Sequence, residues 1–231
     1  MQKLQLEITL LSSAVIGSGE GFGAIIDTDI VFDDIGMPLL PGKRVKGCLR
    51  DAAETAFERF RQANIAFPLT EEPPPTSTDD LLNTTFGLRG RKSGDVYFAN
   101  LTIPDYAAHQ AWLAYWNDAY AGVLSRDTVM DSFTDVRQQT AIDPETGTAK
   151  DGALRTLRAA RKGTTFVGEV VVNSEDRDTI QTLALACMNL RHLGTNRNRG
   201  FGEVVCGLRD CESGEDLVAA ITQQLEGLCT A

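Results

Sequence analysis

Two arginines one residue apart, Arg197 and Arg199, lie inside the glycine-rich run LGTNRNRGFGEV, residues 193–204. Guanidinium groups and the bare N–H groups of a glycine turn both bind phosphate oxygens. Arg197, Asn198, Arg199, Gly200 and Phe201 therefore form a unit suited to one phosphate chain, and RNA is the ligand class this points to. The competing reading is an ordinary turn. Gly194 follows an apolar run with Glu175 and Asp176 at its start and Arg191 and His192 at its end, as a helix-capping glycine would.

A second group of cations, Lys43, Arg44, Lys46 and Arg50, opens the segment PGKRVKGCLR. The N–H groups of a helix start, together with these cations, suit a phosphate chain. The segment is not a nucleotide-binding P-loop, because no Ser or Thr follows the lysine. Further cations cluster at Arg89, Arg91 and Lys92 and between Lys150 and Lys162. The formal net charge is nevertheless −10, with acids gathered at Glu71, Glu72, Asp79 and Asp80 and again at Asp210–Asp216. A positive groove on an acidic body requires the basic segments to converge, and long-range steering of a polyanion by the lone chain would be weak.

The elements that must position these cations are legible in outline. Leu4, Leu6, Ile8 and Leu10 alternate with polar residues, as in a half-buried strand, and an extended segment is expected around Ile25–Phe32. Val45, Cys48, Leu49, Ala52, Ala53, Ala56, Phe57 and Phe60 step by three and four, predicting a helix over about 43–61. Residues 68–80, with four prolines and four acids, read as an exposed loop. A strand is expected over Asp95–Ile103, then an inserted helix over Asp105–Val123 whose aromatics Trp112, Tyr115, Trp116 and Tyr120 follow one face, as packing residues do. Residues 131–162 are polar and turn-rich, which a protruding hairpin or a surface loop explains. Thr165–Asn173 is the strongest strand by β-branched content, followed by a helix over about 175–193 and a strand over Glu203–Leu208. A last helix starts near Ser213, with Asp216 completing a capping-box-like pair. Strand, helix, strand twice over is the order of a ferredoxin-like α+β sandwich.

The 231 residues suffice for one large domain with insertions. Five widely spaced cysteines without a CxxC pair argue against a disulfide framework or a zinc site, and Cys48 and Cys187 read as core fillers. No apolar run approaches the roughly 18 residues of a membrane span, and no signal-like segment opens the chain. A cytoplasmic protein without a membrane partner is expected.

Five segments in order, AIIDTDIVFDD, PLLPGKRVKGCLR, TFGLRGRKSGDVYFANL, RQQTAIDPETGTAKDGAL with GTTFVGEV, and GTNRNRGFGE, resemble the RAMP superfamily of CRISPR-associated proteins. The similarity is greatest to the repeated backbone subunit of type III (Csm/Cmr-type) effector complexes. The resemblance implies a single RAMP domain over 1–231, with a ferredoxin-like core and insertions at 61–93 and 104–162. It implies RNA binding by Lys43, Arg44, Lys46, Arg50, Arg89, Arg91, Arg137 and the 197–201 loop. Arg137 through Ala149 resembles a thumb hairpin that wedges between bases of the guide–target duplex. Asp27 falls where the family places an aspartate required for target-RNA cleavage, and Asp33 matches a second one; Phe32 stands where the family usually has arginine, and Asp29 and Asp34 are additional acids. The implied chemistry is metal-dependent, with Mg²⁺ or another divalent cation, and proceeds by 2′-hydroxyl attack on the adjacent phosphate. The metal ligands are not identified. The implied partners are guide RNA, target RNA and further copies of the chain or related subunits in a head-to-tail filament.

Two other functions compete. One is a catalytically silent scaffold or capping subunit of such a complex, in which Asp27 is a strand-end acid that caps a turn. The other is a stand-alone guide-precursor endonuclease. That class commonly uses a histidine, and His109 and His192 lie near no recognised motif.

Overall fold

A computed structural model of the chain describes residues 1–17, 26–69, 77–88, 90–120, 122, 124–173 and 176–229. The alternating N-terminal segment forms β1 (Gln2–Leu10), with Leu4, Leu6, Ile8 and Leu10 buried and Lys3, Gln5 and Glu7 exposed on the opposite face. It lies at the heart of an antiparallel sheet, between β7 (Thr165–Val172) and β8 (Val204–Asp210). Beyond β7 come β3 (Val96–Phe98) and β4 (Leu101–Thr102), and β2 (Leu39–Leu40) pairs with β4 at the edge. The single strand expected over Asp95–Ile103 is thus split at Ala99–Asn100. The helix that follows β2 starts against this break.

That helix is α1 (Gly42–Gln62), and its Val45, Leu49, Ala52, Ala53, Ala56 and Phe57 are buried, as the three-and-four spacing predicted. Gly42 donates its N–H to Asn100 Oδ1 at 3.0 Å and packs directly on the carbonyls of Phe98 and Ala99, where any Cβ would collide. The helix start is thereby fixed to the sheet. Helices α5 (Arg177–Asn189) and α6 (Leu217–Cys229) share the core with α1 and the inward side chains of β1, β7 and β8. Cys187 is a core filler as expected, whereas Cys48 is half-buried at the core's margin. The last helix begins later than Ser213, because Asp216 is its cap and accepts from the N–H groups of Val218 and Ala219, both at 3.0 Å.

Three other expectations are corrected. Of the loop expected over residues 68–80, residues 70–76 lie outside the described residues, and Thr78, Asp79 and Asp80 instead open α2 (Thr78–Phe86), capped by Ser77 and burying Leu81, Leu82 and Phe86. Of the extended segment expected around residues 25–32, Ile25 lies outside the described residues; the rest forms single bridges and no strand. The inserted helix α3 (Tyr106–Ala119) buries no residue; Trp112 is 55% and Tyr115 63% exposed, so the aromatics form a surface ladder, not packing. Trp112 meets Trp116 at 5.5 Å and Trp116 meets Tyr120 at 4.7 Å between ring centroids.

A small second core of Met37, Ile103 and Val129 joins α3 to α4 (Arg126–Phe133). Helix α4 runs without a loop into β5 (Thr134–Gln139), which pairs antiparallel with β6 (Arg155–Ala160) as a separate two-stranded sheet. Among the described residues, no helix is long and apolar enough to cross a membrane.

Candidate nucleic-acid interface

The glycine-rich run is a closed loop on a stem, not a helix cap. Helix α5 ends at Asn189, five residues before Gly194. Leu193 N–H donates to Gly202 O at 2.7 Å and Val204 N–H to Arg191 O at 2.9 Å, which shuts the base of the loop. Thr195 N–H donates to Val15 O and Gly202 N–H to Ser13 O, so the segment after β1 passes beneath it. Gly194 and Gly202 hold φ of +83° and +76° with backbone carbonyls pressed against them, positions that only glycine fills without strain. Between them Arg197–Arg199 form one 3₁₀ turn. Phe201 is half-buried against Val15, Leu157 and Ala159 and anchors the crest, leaving Arg197, Asn198, Arg199 and Gly200 exposed.

The two arginines reach toward different elements. Arg197 lies beside the Cys48 thiol of α1, with Arg44 also nearby, and the net effect of burial opposed by these cations is a Cys48 pKa above its usual value. Arg199 donates to Gln139 Oε1 at 3.1 Å, at the end of β5. The loop therefore stands between the start of α1 and the β5–β6 hairpin. Lys43 and Arg44 are exposed on α1's first turn, and Lys46 is half-buried, its ammonium pushed below the usual lysine value by burial and then by Arg50. Arg50 turns the other way: its guanidinium holds Gly87 O and, at 3.0 Å, Asn83 Oδ1, closing the end of α2. Arg91 is exposed in the turn after α2, and Arg89 lies outside the described residues. Arg137 is exposed on β5, 3.9 Å from Asp135.

Between loop and hairpin opens a cleft of about 680 Å³. Among the described residues, Lys150, Arg155 and Arg199 supply its cations against the single acid Asp151, and Thr28, Gln139, Asn196 and Thr156 are among its neutral polar groups. A second hollow, of about 410 Å³, lies between α5, α6 and the end of β8. It presents Asp210, Glu212 and Glu215 against Arg177 alone, the wrong sign for a polyanion.

The acids sort by partner. Asp27 is exposed beside the cleft; its N–H donates to Thr156 O at 2.9 Å and its Oδ2 accepts from Thr156 N–H at 2.7 Å. Asp29 is 5% exposed and paired with Arg158 at 3.4 Å. Asp33 is spent on structure: Oδ1 accepts from the N–H groups of Ile35 and Met37, and Oδ2 accepts from Tyr106 Oη at 2.7 Å. That last bond pushes the tyrosine pKa up to about 12. Neither the role of Tyr106 nor that of Arg158 was anticipated from sequence: β6 reads RTLRAA, and its pattern does not separate the buried Arg158 from the exposed Arg155.

Among the described residues, no three His, Cys, Asp or Glu side chains are grouped to hold a metal ion. The donor set at Asp27 fits a hard divalent cation in one form only, a single carboxylate supplemented by phosphate oxygens of a bound RNA, which is a common Mg²⁺ arrangement.

The sequence profile of the RAMP superfamily matches residues 7–205. The chain belongs to the RAMP superfamily. None of the curated proteins compared matches it significantly in sequence. Among solved structures, this RAMP chain is similar in fold to a chain of a type III-B Cmr-beta complex bound to cognate target RNA, at 12% identity and a TM-score of 0.64, covering 89% of this chain and 96% of the other. It is likewise similar to a chain of the apo Cmr-beta complex, at 12% identity and a TM-score of 0.63, covering 93% and 99%.

Proposed function

We propose that this RAMP protein is a guide-RNA-binding backbone subunit of a type III CRISPR ribonucleoprotein that cleaves guide-paired target RNA. The observation that carries the reading is the cleft itself: on an acidic chain, Arg199, Lys150 and Arg155 converge there, with Asp27 beside it. The strand order β8–β1–β7–β3 with α1 and α5 as crossovers fits a ferredoxin-like core, from which 61–93 and 104–162 are insertions and the β5–β6 hairpin is the thumb.

Lys43, Arg44 and Arg197 bind the guide backbone on the α1 side, with Lys46 behind them, and Arg199, Lys150 and Arg155 bind phosphates on the hairpin side. Asn198 and the Gly200 N–H add neutral contacts. The 140–154 tip, with exposed Ile142 and Leu154, wedges the duplex, and Arg137 lies on its stem. Arg50 supports α1 and α2 and does not meet RNA directly. When Mg²⁺ is bound, it neutralises charge developing on the cleaved phosphate. Asp27 would hold the cation or polarise the attacking 2′-hydroxyl; the 2′-oxygen bonds to phosphorus as its proton passes to water, the P–O5′ bond breaks, and the leaving 5′-oxygen takes a proton from water, giving a 2′,3′-cyclic phosphate and a 5′-hydroxyl. Guide pairing reads sequence, while the protein reads shape and backbone.

One observation favours the scaffold reading: one Asp27 oxygen already serves as acceptor for a backbone amide, as a turn-capping acid would. Purified complex, guide-matched RNA and the Asp27→Ala variant separate the two. Cleavage that needs Mg²⁺, stops in Asp27→Ala and leaves target binding intact supports the nuclease; cleavage or its absence unchanged by the variant supports the scaffold.

A further inference from the structure

Asp27 is exposed and sits just after residues 18–25, yet its backbone is tied to one strand. Residues 27–30 run alongside β6: Thr28 pairs in parallel with Leu157, Arg158 N–H donates to Thr28 O at 3.0 Å, and Thr156 and Asp27 exchange the two bonds given above. The backbone bonds among these fix the segment to β6 without choosing its register, because a slip of one residue remakes bonds of the same kind and turns alternate side chains to the opposite face; the bond from Thr156 N–H to Asp27 Oδ2 is a side-chain bond and favours the present register.

Beside the buried Ile26 and Ile30, the charged side chain that discriminates between registers is Asp29. It is buried, its Oδ1 accepts from Ile30 N–H at 2.8 Å, and its Oδ2 faces Arg158 Nη1 at 3.4 Å. Arg158 is 9% exposed, lies 5.9 Å from the centre of the Phe32 ring, and reaches the exposed Asp131 at 3.8 Å. Its Nε is buried with no hydrogen-bond partner, so the guanidinium is not optimally satisfied where it lies. A buried arginine held in that condition adds little net stability over an apolar pair of the same size. It does penalise alternatives, since a slip leaves the buried Asp29 carboxylate unpaired and the Arg158 guanidinium with only the exposed Asp131.

We infer that the buried Asp29–Arg158 pair is the positioning device for Asp27: it sets the register of residues 27–30 on β6 and thereby presents the Asp27 carboxylate beside the cleft. Arg158 acts through Asp29 and touches no RNA. The role in cleavage rests on the function proposed above for Asp27; the role in register does not.

The test compares Asp29→Leu/Arg158→Met, which removes both charges while keeping apolar bulk, with Asp27→Ala. Single-charge variants are avoided because an orphaned buried charge disrupts folding by itself. Amide hydrogen exchange on the full chain reads the register directly. Thr156 and Arg158 amides are expected to exchange about tenfold faster or more in the double variant, with the β1 and β7 amides unchanged. In the assembled complex, target binding and KM stay within about twofold while kcat falls about 10²-fold, the cost of an angstrom-scale misplacement. Unchanged exchange at Thr156 and Arg158, in a double variant that melts like the parent, overturns the inference. Faster exchange together with cleavage that survives Asp27→Ala upholds the register role and instead removes Asp27 from the chemistry.

Discussion

Gly200 and Gly202 lie two residues apart in one loop with the same φ of +76°, yet their replacement by alanine should differ severalfold in cost. Both variants bear the left-handed penalty of an L-residue, about 1–2 kcal/mol. At Gly200 nothing lies within 4 Å of a new Cβ, so that penalty is the whole effect. At Gly202 the Cβ meets the Leu193 carbonyl, and the backbone can retreat only by breaking the stem bond from Leu193 N–H to Gly202 O at 2.7 Å and the bond from Gly202 N–H to Ser13 O at 2.9 Å. Each lost bond removes about 1 kcal/mol net, or more if a buried partner is orphaned, which brings the total to about 3–5 kcal/mol. Urea unfolding of the full chain, monitored by far-UV circular dichroism, measures both values from midpoint and slope. Losses equal to within about 0.5 kcal/mol would refute the closed-stem description of the loop, since the two glycines differ only in what surrounds them.

The arginines provide a second contrast. Arg197→Ala and Arg199→Ala should each weaken guide-RNA binding and lower the salt slope by about 0.7, whereas Arg50→Ala should leave the slope unchanged and cost about 1–3 kcal/mol in stability through α2, as titrations at several salt concentrations and urea unfolding will report. The Asp33 bond raises the folded pKa of Tyr106 above its unfolded value, so its contribution is complete below about pH 10 and lost as pH rises toward 12; Tyr106→Phe should flatten the fall in melting temperature across that window. Both tryptophans lie on α3, with Trp112 exposed and Trp116 half-buried, so iodide should quench most of the tryptophan fluorescence of the native chain; full protection from iodide would show the aromatic face of α3 covered.

What could be read in advance was local. The α1 stripe from Val45 to Phe57 and the β-branched run of β7 are patterns that a single element must satisfy, and both fold as their spacing dictates. Helix α2 escaped because nine residues give barely two turns of pattern after a proline-rich stretch. The α3 aromatics misled for a different reason: periodicity places Trp112 and Trp116 on one face but carries no information about whether that face meets protein or solvent. Arg50 shares α1 with Lys46 at a four-residue spacing, yet it faces Gly87 and Asn83, a choice made by α2 and invisible in PGKRVKGCLR. At the candidate interface the loop arginines were legible as residue types, and Asp27 only through the family resemblance. Asp29 with Arg158 and Asp33 with Tyr106 were not, being pairs separated by 129 and 73 positions whose meeting depends on the tertiary fold.

The uninterrupted passage from Phe133 into Thr134 also limits how this protein can be re-engineered. With no linker to absorb rotation, the hairpin's aim is set jointly by α4, which Met37, Ile103 and Val129 seat on the body, and by the bonds that tie β6 to Ala14 and Thr28. A chimaera that exchanges residues 134–160 alone would graft a foreign blade onto a native hilt. A transplant that keeps the aim would have to carry α4 and its seat at Met37 and Ile103 together with the blade.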